Sequence, residues 1–201
     1  MDKKIWEYNP LNPQQLKDYD VSSYCYRHSR RDWKVSAYDK GYGINYDGDS
    51  RKPEYLIDGE KKTNWSSGKI NDKPLELPYY IIFDLNKVSD IDGVYLANGY
   101  SNQCLADVHV EYIGSEVADP YDINAPWETL LQVTDPNVVR ANLKNERFFD
   151  CPRTQARYLR LKISNPNTIV FKSDSDLTEE EKANQKKYHS FAEFGTYYKK
   201  P

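Results

Sequence analysis

The chain has 201 residues, which suits one large domain or a domain with an extension. Its 28 basic and 31 acidic residues leave a net charge of −3, which argues against the basic field that nucleic acid requires. Hydrophobic residues are only 38%, offset by 14% aromatics, and no apolar run reaches transmembrane length.

Most of the aromatics are tyrosine, 18 in all, a residue suited to half-buried strands and to binding surfaces. Cys25, Cys104 and Cys151 match no CxxC spacing, so three free thiols are expected, with a Cys104–Cys151 bridge as the alternative. Met1 is followed by Asp-Lys-Lys-Ile-Trp rather than by a signal core.

Residues 1–32 have few periodic apolar positions. They read either as a solvated linker to an upstream domain or as an arm laid on the fold by Trp6, Tyr8, Tyr24 and Tyr26. Pro13 to Tyr19 suits a short helix capped by Asn12, and Arg27, His28, Arg30 and Arg31 read as a local positive patch. A first strand is predicted over Asp32–Ala37, with Trp33, Val35 and Ala37 on one face. Residues 38–55 are rich in Gly, Asp and Tyr and read as a long structured loop.

Asp58-Gly59 signals a turn before Thr63 and Trp65. Tyr79, Ile81, Phe83 and Leu85 then alternate with the apolar Tyr80 and Ile82, the pattern of a central strand covered on both sides. Asp90–Gly93 predicts a bend. Ala106–Tyr112 alternates cleanly, with Val108 and Val110 inward and Asp107, His109 and Glu111 outward. Further strands are predicted over Trp127–Val133, with Trp127, Thr129, Leu131 and Val133 on one side, over Arg147–Asp150 and over Ala156–Ile163. In the insertion at 164–190, Thr178 and Glu181 have capping-box spacing for a short helix. The last strand, Ser190–Tyr198, carries Glu193 where a strand avoids a carboxylate, so a cation, an arginine or water is expected beside it.

Seven to nine short strands with polar connections and no βαβ rhythm predict an all-β, two-sheet antiparallel jelly-roll sandwich. Trp33-Lys-Val-Ser-Ala37, Leu56-Ile-Asp-Gly-Glu60 with Thr63-Asn-Trp65, Ile81-Ile-Phe-Asp-Leu85, Ile91-Asp-Gly-Val94, Trp127-Glu-Thr-Leu-Leu131, Ala156-Arg-Tyr-Leu-Arg-Leu161 and Ala192-Glu-Phe194 follow one another in order. That string resembles the discoidin family, the coagulation factor V/VIII type C domains with a galactose-binding-like fold, and is closest to their bacterial carbohydrate-binding branch. The resemblance spans about residues 33–201, with 1–32 outside it.

The resemblance implies a non-catalytic binding module of an extracellular or envelope protein. The alternative is a structural or protein–protein interaction module of a larger surface protein or glycosidase. It implies secretion, periplasmic placement or display at the cell surface, an upstream domain of the same polypeptide, a glycan or glycoprotein partner, and a monomer as an isolated domain. Trp65 is expected to be packed rather than presented. A structural calcium is implied, held by Asp58, Thr63 and Glu193 with carbonyls around Leu56, Glu60 and Ala192. Against it stands a turn in which Asp58 caps itself and Glu193 pairs with Lys61, Lys62 or Arg51.

Ligands of the family sit at the loop end of the sandwich. Tyr38, Tyr42, Tyr46 and Tyr100 are available as sugar-stacking rings, with Asp47, Arg51, Asn98, Asn102 and Gln103 as polar partners. Sugar-binding members pair an arginine and a histidine or glutamate with an exposed aromatic, a set that the sequence does not place. The loops lack the apolar spikes of membrane-inserting relatives, apart from Ile70 and Leu75, so no membrane insertion is expected. The three histidines, His28, His109 and His189, fall far apart and no nucleophile elbow is present, so no enzyme is expected.

Overall fold

A computed structural model describes residues 25–39, 42–43, 52–67, 69–70, 73–74, 77–98, 107–122, 124–134, 146–165, 178–185 and 189–200. The strands are β1 (Cys25–Arg27), β2 (Lys34–Asp39), β3 (Tyr42–Gly43), β4 (Trp65–Ser66), β5 (Lys69–Ile70), β6 (Lys73–Pro74), β7 (Tyr79–Asn98), β8 (Val108–Ile113), β9 (Glu128–Val133), β10 (Glu146–Ile163) and β11 (Ser190–Lys199). A 3-10 turn spans Pro53–Leu56, and an α-helix, α1 (Glu179–Gln185), follows the capping box. Its two sides are reciprocal: Glu181 N donates to Thr178 Oγ1 at 3.2 Å and Thr178 N donates to Glu181 Oε2 at 2.7 Å.

Nine strands hydrogen-bond into one curled antiparallel sheet whose main path runs β1-β11-β7-β10-β8-β9, with β2, β3 and β4 attached. The two layers of the sandwich arise because β7 and β10 each run through both. Tyr79–Asp84 of β7 pairs with β2 and with Tyr158–Ile163 of β10, whereas Gly93–Asn98 pairs with β11. The stretches expected as separate strands at 147–150 and 156–163 are therefore one strand, with register shifts at Asp150/Thr154 and Ala156/Tyr158. β7 continues through Asp90–Gly93, where the bend was expected, opposite the Asp150/Thr154 register shift, and a positive φ of 65° lies at Asn86.

Between the layers, Ile81, Phe83, Leu85, Val108, Val110, Leu159, Leu161 and Ile163 meet Val94, Leu96, Phe149, Phe191 and Phe194. Phe83 stacks on Phe194 across that gap at 4.1 Å between ring centroids. Trp33 and Val35 join this core as predicted. In β9 the inward residue is Leu130, not Thr129, because the pairing slips by one residue opposite Val110/Glu111. Tyr158 is buried and donates to Glu116.

The second layer is apolar on its outer face too, where Cys25, Tyr95, Phe148 and Tyr197 form a small cluster. Two cross-strand pairs make that packing possible. Gly195 lies opposite Tyr95 and Gly93 opposite Tyr197, and each tyrosine ring lies over its facing glycine. A Cβ at either position would overlap the ring, and at Gly93 also the Phe149 carbonyl.

Ahead of residue 33, β1 is part of this sheet. Cys25, Tyr26 and Arg27 pair with Lys199, Tyr198 and Tyr197. The expected positive patch is likewise folded in. Arg27 makes a bidentate pair with Glu146 at 2.6 and 2.9 Å and lies over the rings of Tyr95 and Phe148. Trp6, Tyr8, Tyr24 and the helix read at 13–19 lie outside the described residues. Neither Cys25 nor Cys151 is in a disulfide, and burial pushes their thiols up to about 11 and about 12; Cys104 lies outside the described residues.

Candidate functional site

Both layers reach one end of the sandwich at Trp65. β2 and β10 both end against Tyr79, through Asp39↔Tyr79 and Ile163↔Tyr79, and β7 ends at Asn98 opposite Phe191. Trp65 joins the two ends, 6.2 Å from Tyr79 and 5.6 Å from Phe191, stacked on the latter at 6°. It is fully buried, as expected of a packed rather than a presented ring. His189 sits under the same end, its Nδ1 2.5 Å from the Tyr79 hydroxyl.

Of the proposed ligand residues, Tyr46, Asp47, Arg51, Tyr100, Asn102 and Gln103 lie outside the described residues. Tyr38 is placed by its backbone opposite Tyr80 and Gly43, Tyr42 opposite Asp39, and Asn98 at the end of β7.

Beside this end, the outer face of the first layer carries a row that the sequence did not reveal. Cross-strand register sets Tyr80 against Lys162, Lys162 against His109, and Arg160 against Glu111. The Arg160 guanidinium carbon lies 4.5 Å from the ring centre of Tyr80 and 4.5 Å from that of Trp127. Arg160 Nε donates to Glu111, whose other oxygen is 3.6 Å from both His109 Nε2 and Lys162 Nζ. His109 Nε2 also lies 3.4 Å from Thr129 Oγ1. This is an arginine, a histidine and a glutamate beside two half-buried aromatics. Glu111 is buried rather than open, and Asp107, expected outward, is buried and accepts from Asn165. Burial holds His109 below the ordinary imidazole value, with Glu111 opposing.

The residues expected to hold calcium also come together. Asp58 Oδ1 accepts from Glu60 N at 2.8 Å, and Asp58 Oδ2 from Thr63 Oγ1 at 2.7 Å, so the carboxylate closes its own turn. Thr63 Oγ1 is also 2.7 Å from the Glu60 carbonyl. Glu193, 1% exposed, takes neither Lys61 nor Lys62 as partner among the described residues, and Arg51 lies outside them. Its partner is Arg30, whose Nη1 donates to Glu193 Oε2, to the Leu56 carbonyl at 3.2 Å and to the Phe194 carbonyl at 2.8 Å. Lys61 turns instead to Glu146 at 3.5 Å. Ala192 is buried at the register shift between Phe191 and Glu193. Arg30 carries no local sequence signal, because its contacts lie 26 and 163 residues away.

At the opposite end, a cavity of 130 Å³ is lined by His28, Trp33, Asn86 and Lys87, among others. Burial first, then the charge of Lys87, holds His28 below the ordinary imidazole value, with Asp90 and Asp92 opposing. As pH falls, the unfolded chain takes up a proton at this residue that the folded chain resists, so His28 stabilises at neutral pH and less in acid. Glu193, pushed up to about 7 by burial against Arg30 and with Asp58 adding, works in the other sense over the same range. The measurement that separates them is the unfolding midpoint of the wild type and His28→Gln between about pH 7.5 and about pH 5.5. Expected is a wild-type midpoint that falls relative to that of the variant on acidification; parallel profiles would refute it.

A β-sandwich with polar connections, an exposed acidic turn and a buried glutamate on the neighbouring strand has the architecture of a discoidin-type domain. The F5/8 type C domain family matches residues 34–173, and the chain belongs to it. Among solved structures, similarity extends to CpGH89CBM32-5 of Clostridium perfringens, in complex with GalNAc-beta-1,3-galactose, at 15% identity and a TM-score of 0.58 over 85% of this chain and 99% of that one. The C-terminal domain of a chitobiase from Bacteroides fragilis is similar at 21% identity and a TM-score of 0.57, over 88% and 100%. The family 32 CBM of C. perfringens NanJ, in complex with galactose, is similar at 16% identity and 0.53, over 85% and 96%. At these identities the likeness is one of fold. No curated protein sequence matches. No helix among the described residues is long and apolar enough to cross a membrane.

Proposed function

We propose that this domain is a non-catalytic carbohydrate-binding module of an extracellular or envelope protein. The observation that carries the reading is the row of Tyr80, His109, Glu111, Arg160 and Trp127 beside the loop end. A pyranose presents an apolar C–H face to a ring and paired hydroxyls to planar polar groups, and this row offers both. Relatives of the same fold are solved with galactose and with GalNAc-beta-1,3-galactose, so galactose-type sugars are the first ligands to try. The sandwich attaches a larger polypeptide to a glycan or glycoprotein surface, and a weak single site gains strength when several are tethered.

The test is a glycan array followed by calorimetric titration with galactose and N-acetylgalactosamine. A dissociation constant on the order of 0.1–1 mM is expected, lost at least about tenfold in Arg160→Ala with an unchanged circular dichroism spectrum. A folded wild-type chain that binds no glycan on the array overturns the reading. It would favour a protein-interaction module, for which one observation speaks: Arg160 already has Glu111 and two rings as partners within the chain.

A further inference from the structure

We propose that Arg30 is the resident cation of the acidic turn, so that this domain needs no calcium where the family resemblance implies one. Calcium requires six to eight oxygens at about 2.3–2.6 Å. Two of the oxygens that would supply it, the Leu56 carbonyl and Glu193 Oε2, accept hydrogen bonds from one nitrogen of Arg30. The Phe194 carbonyl beside them accepts from the same nitrogen. The Asp58 carboxylate is engaged by Glu60 N and the Thr63 hydroxyl. Among the described side-chain oxygens of this group, only Glu193 Oε1 is buried without a hydrogen-bond partner. One leftover oxygen does not make a coordination shell, and a dication placed there would face a guanidinium at contact distance.

The arginine does what the metal would do. It neutralises a carboxylate fixed in mid-strand, and it ties the turn after Leu56 to β11 through main-chain oxygens on both. It is itself held, 13% exposed at the side chain and with its guanidinium carbon 5.7 Å from the ring centre of Tyr95. The segment that delivers it is fixed by β1 pairing with β11 and by His28 N donating to the Thr196 carbonyl at 3.0 Å. The cation thus arrives covalently, from a segment ahead of the span that the family matches.

The test uses the full chain, stripped of metal, with thermal unfolding read in excess EDTA and in millimolar calcium. The wild-type midpoint is expected to be the same in both to within about 1 °C, whereas binding to the folded state alone would raise it. Arg30→Met, which leaves Glu193 bare, is expected to lose about 10 °C and to regain part of it in calcium. A wild type that calcium stabilises by several degrees overturns the proposal, as does an Arg30→Met chain that folds and ignores calcium. If Arg30→Met does not fold, the wild-type titration decides alone. Sugar binding plays no part in this readout, so its failure and that of the carbohydrate reading are distinguishable.

Discussion

A chain beginning at Asp32 is expected to unfold at least about 10 °C below one beginning at Tyr24, although both contain the whole span that the family matches. The eight residues between them look expendable by sequence, yet three losses coincide when they go. The edge of β11 loses its partner strand at Lys199, Tyr198 and Tyr197. Glu146 loses the bidentate Arg27, and the Tyr95 and Phe148 rings lose the guanidinium that covers them. Glu193 loses Arg30 and is left buried without its partner, the costliest item, since removing one partner of a buried pair costs about 3–5 kcal/mol. Against a typical total stability of about 5–15 kcal/mol, the combined loss brings the shorter chain close to unfolding. Denaturant and thermal midpoints of the two chains decide the matter; equal midpoints would mean that the segment merely rests on the sheet.

Trp65→Ala is the second large effect, expected at about 3–5 kcal/mol. The ring is 0% exposed and stacks on Phe191, with Tyr79 on another side, so truncation opens a cavity between β4, β7 and β11 that the surrounding strands fill poorly. Trp65 Nε1 is buried without a hydrogen-bond partner, so Trp65→Phe forfeits packing but no hydrogen bond and costs markedly less. Urea unfolding of both variants, with sugar titration of the phenylalanine variant, separates packing from presentation. A nearly unchanged midpoint for Trp65→Ala, with sugar binding abolished, would reassign the ring to ligand contact.

Period-2 alternation made the first layer readable. Ile81, Phe83 and Leu85, Val108 and Val110, and Leu159, Leu161 and Ile163 all face the core as the pattern demanded. The passage of β7 and β10 from layer to layer was not readable, because Gly93 and Pro152 read as breaks between separate strands; the irregularities are a positive φ at Asn86 and two register shifts in β10, one of which contains Pro152. Leu130 escaped for a related reason, since the slip opposite Val110/Glu111 turns it inward in place of Thr129, while Leu131 and Val133 pack on the core as expected. The glutamate at 193 announced that it needed a partner, and an arginine was among the expectations. Arg51 was the arginine considered, while Arg30 looked like surface charge in a run of basic residues. The outer row was hidden in the same way. His109, Glu111 and Arg160 each read as a solvated strand position, and only the register of three neighbouring strands makes them one site.

The two glycine–tyrosine pairs of the second layer bear on how this sequence can drift. Gly93 accommodates the ring of Tyr197, and Gly195 that of Tyr95. Any side chain gained at a glycine requires a smaller neighbour across the ladder, and a tyrosine shrunk by chance leaves a hollow that the facing glycine cannot fill. Neither member of a pair can change profitably by itself. In descendants of this chain the four positions are therefore tied two by two, and replacement at one becomes tolerable only in a lineage that has already altered its opposite number.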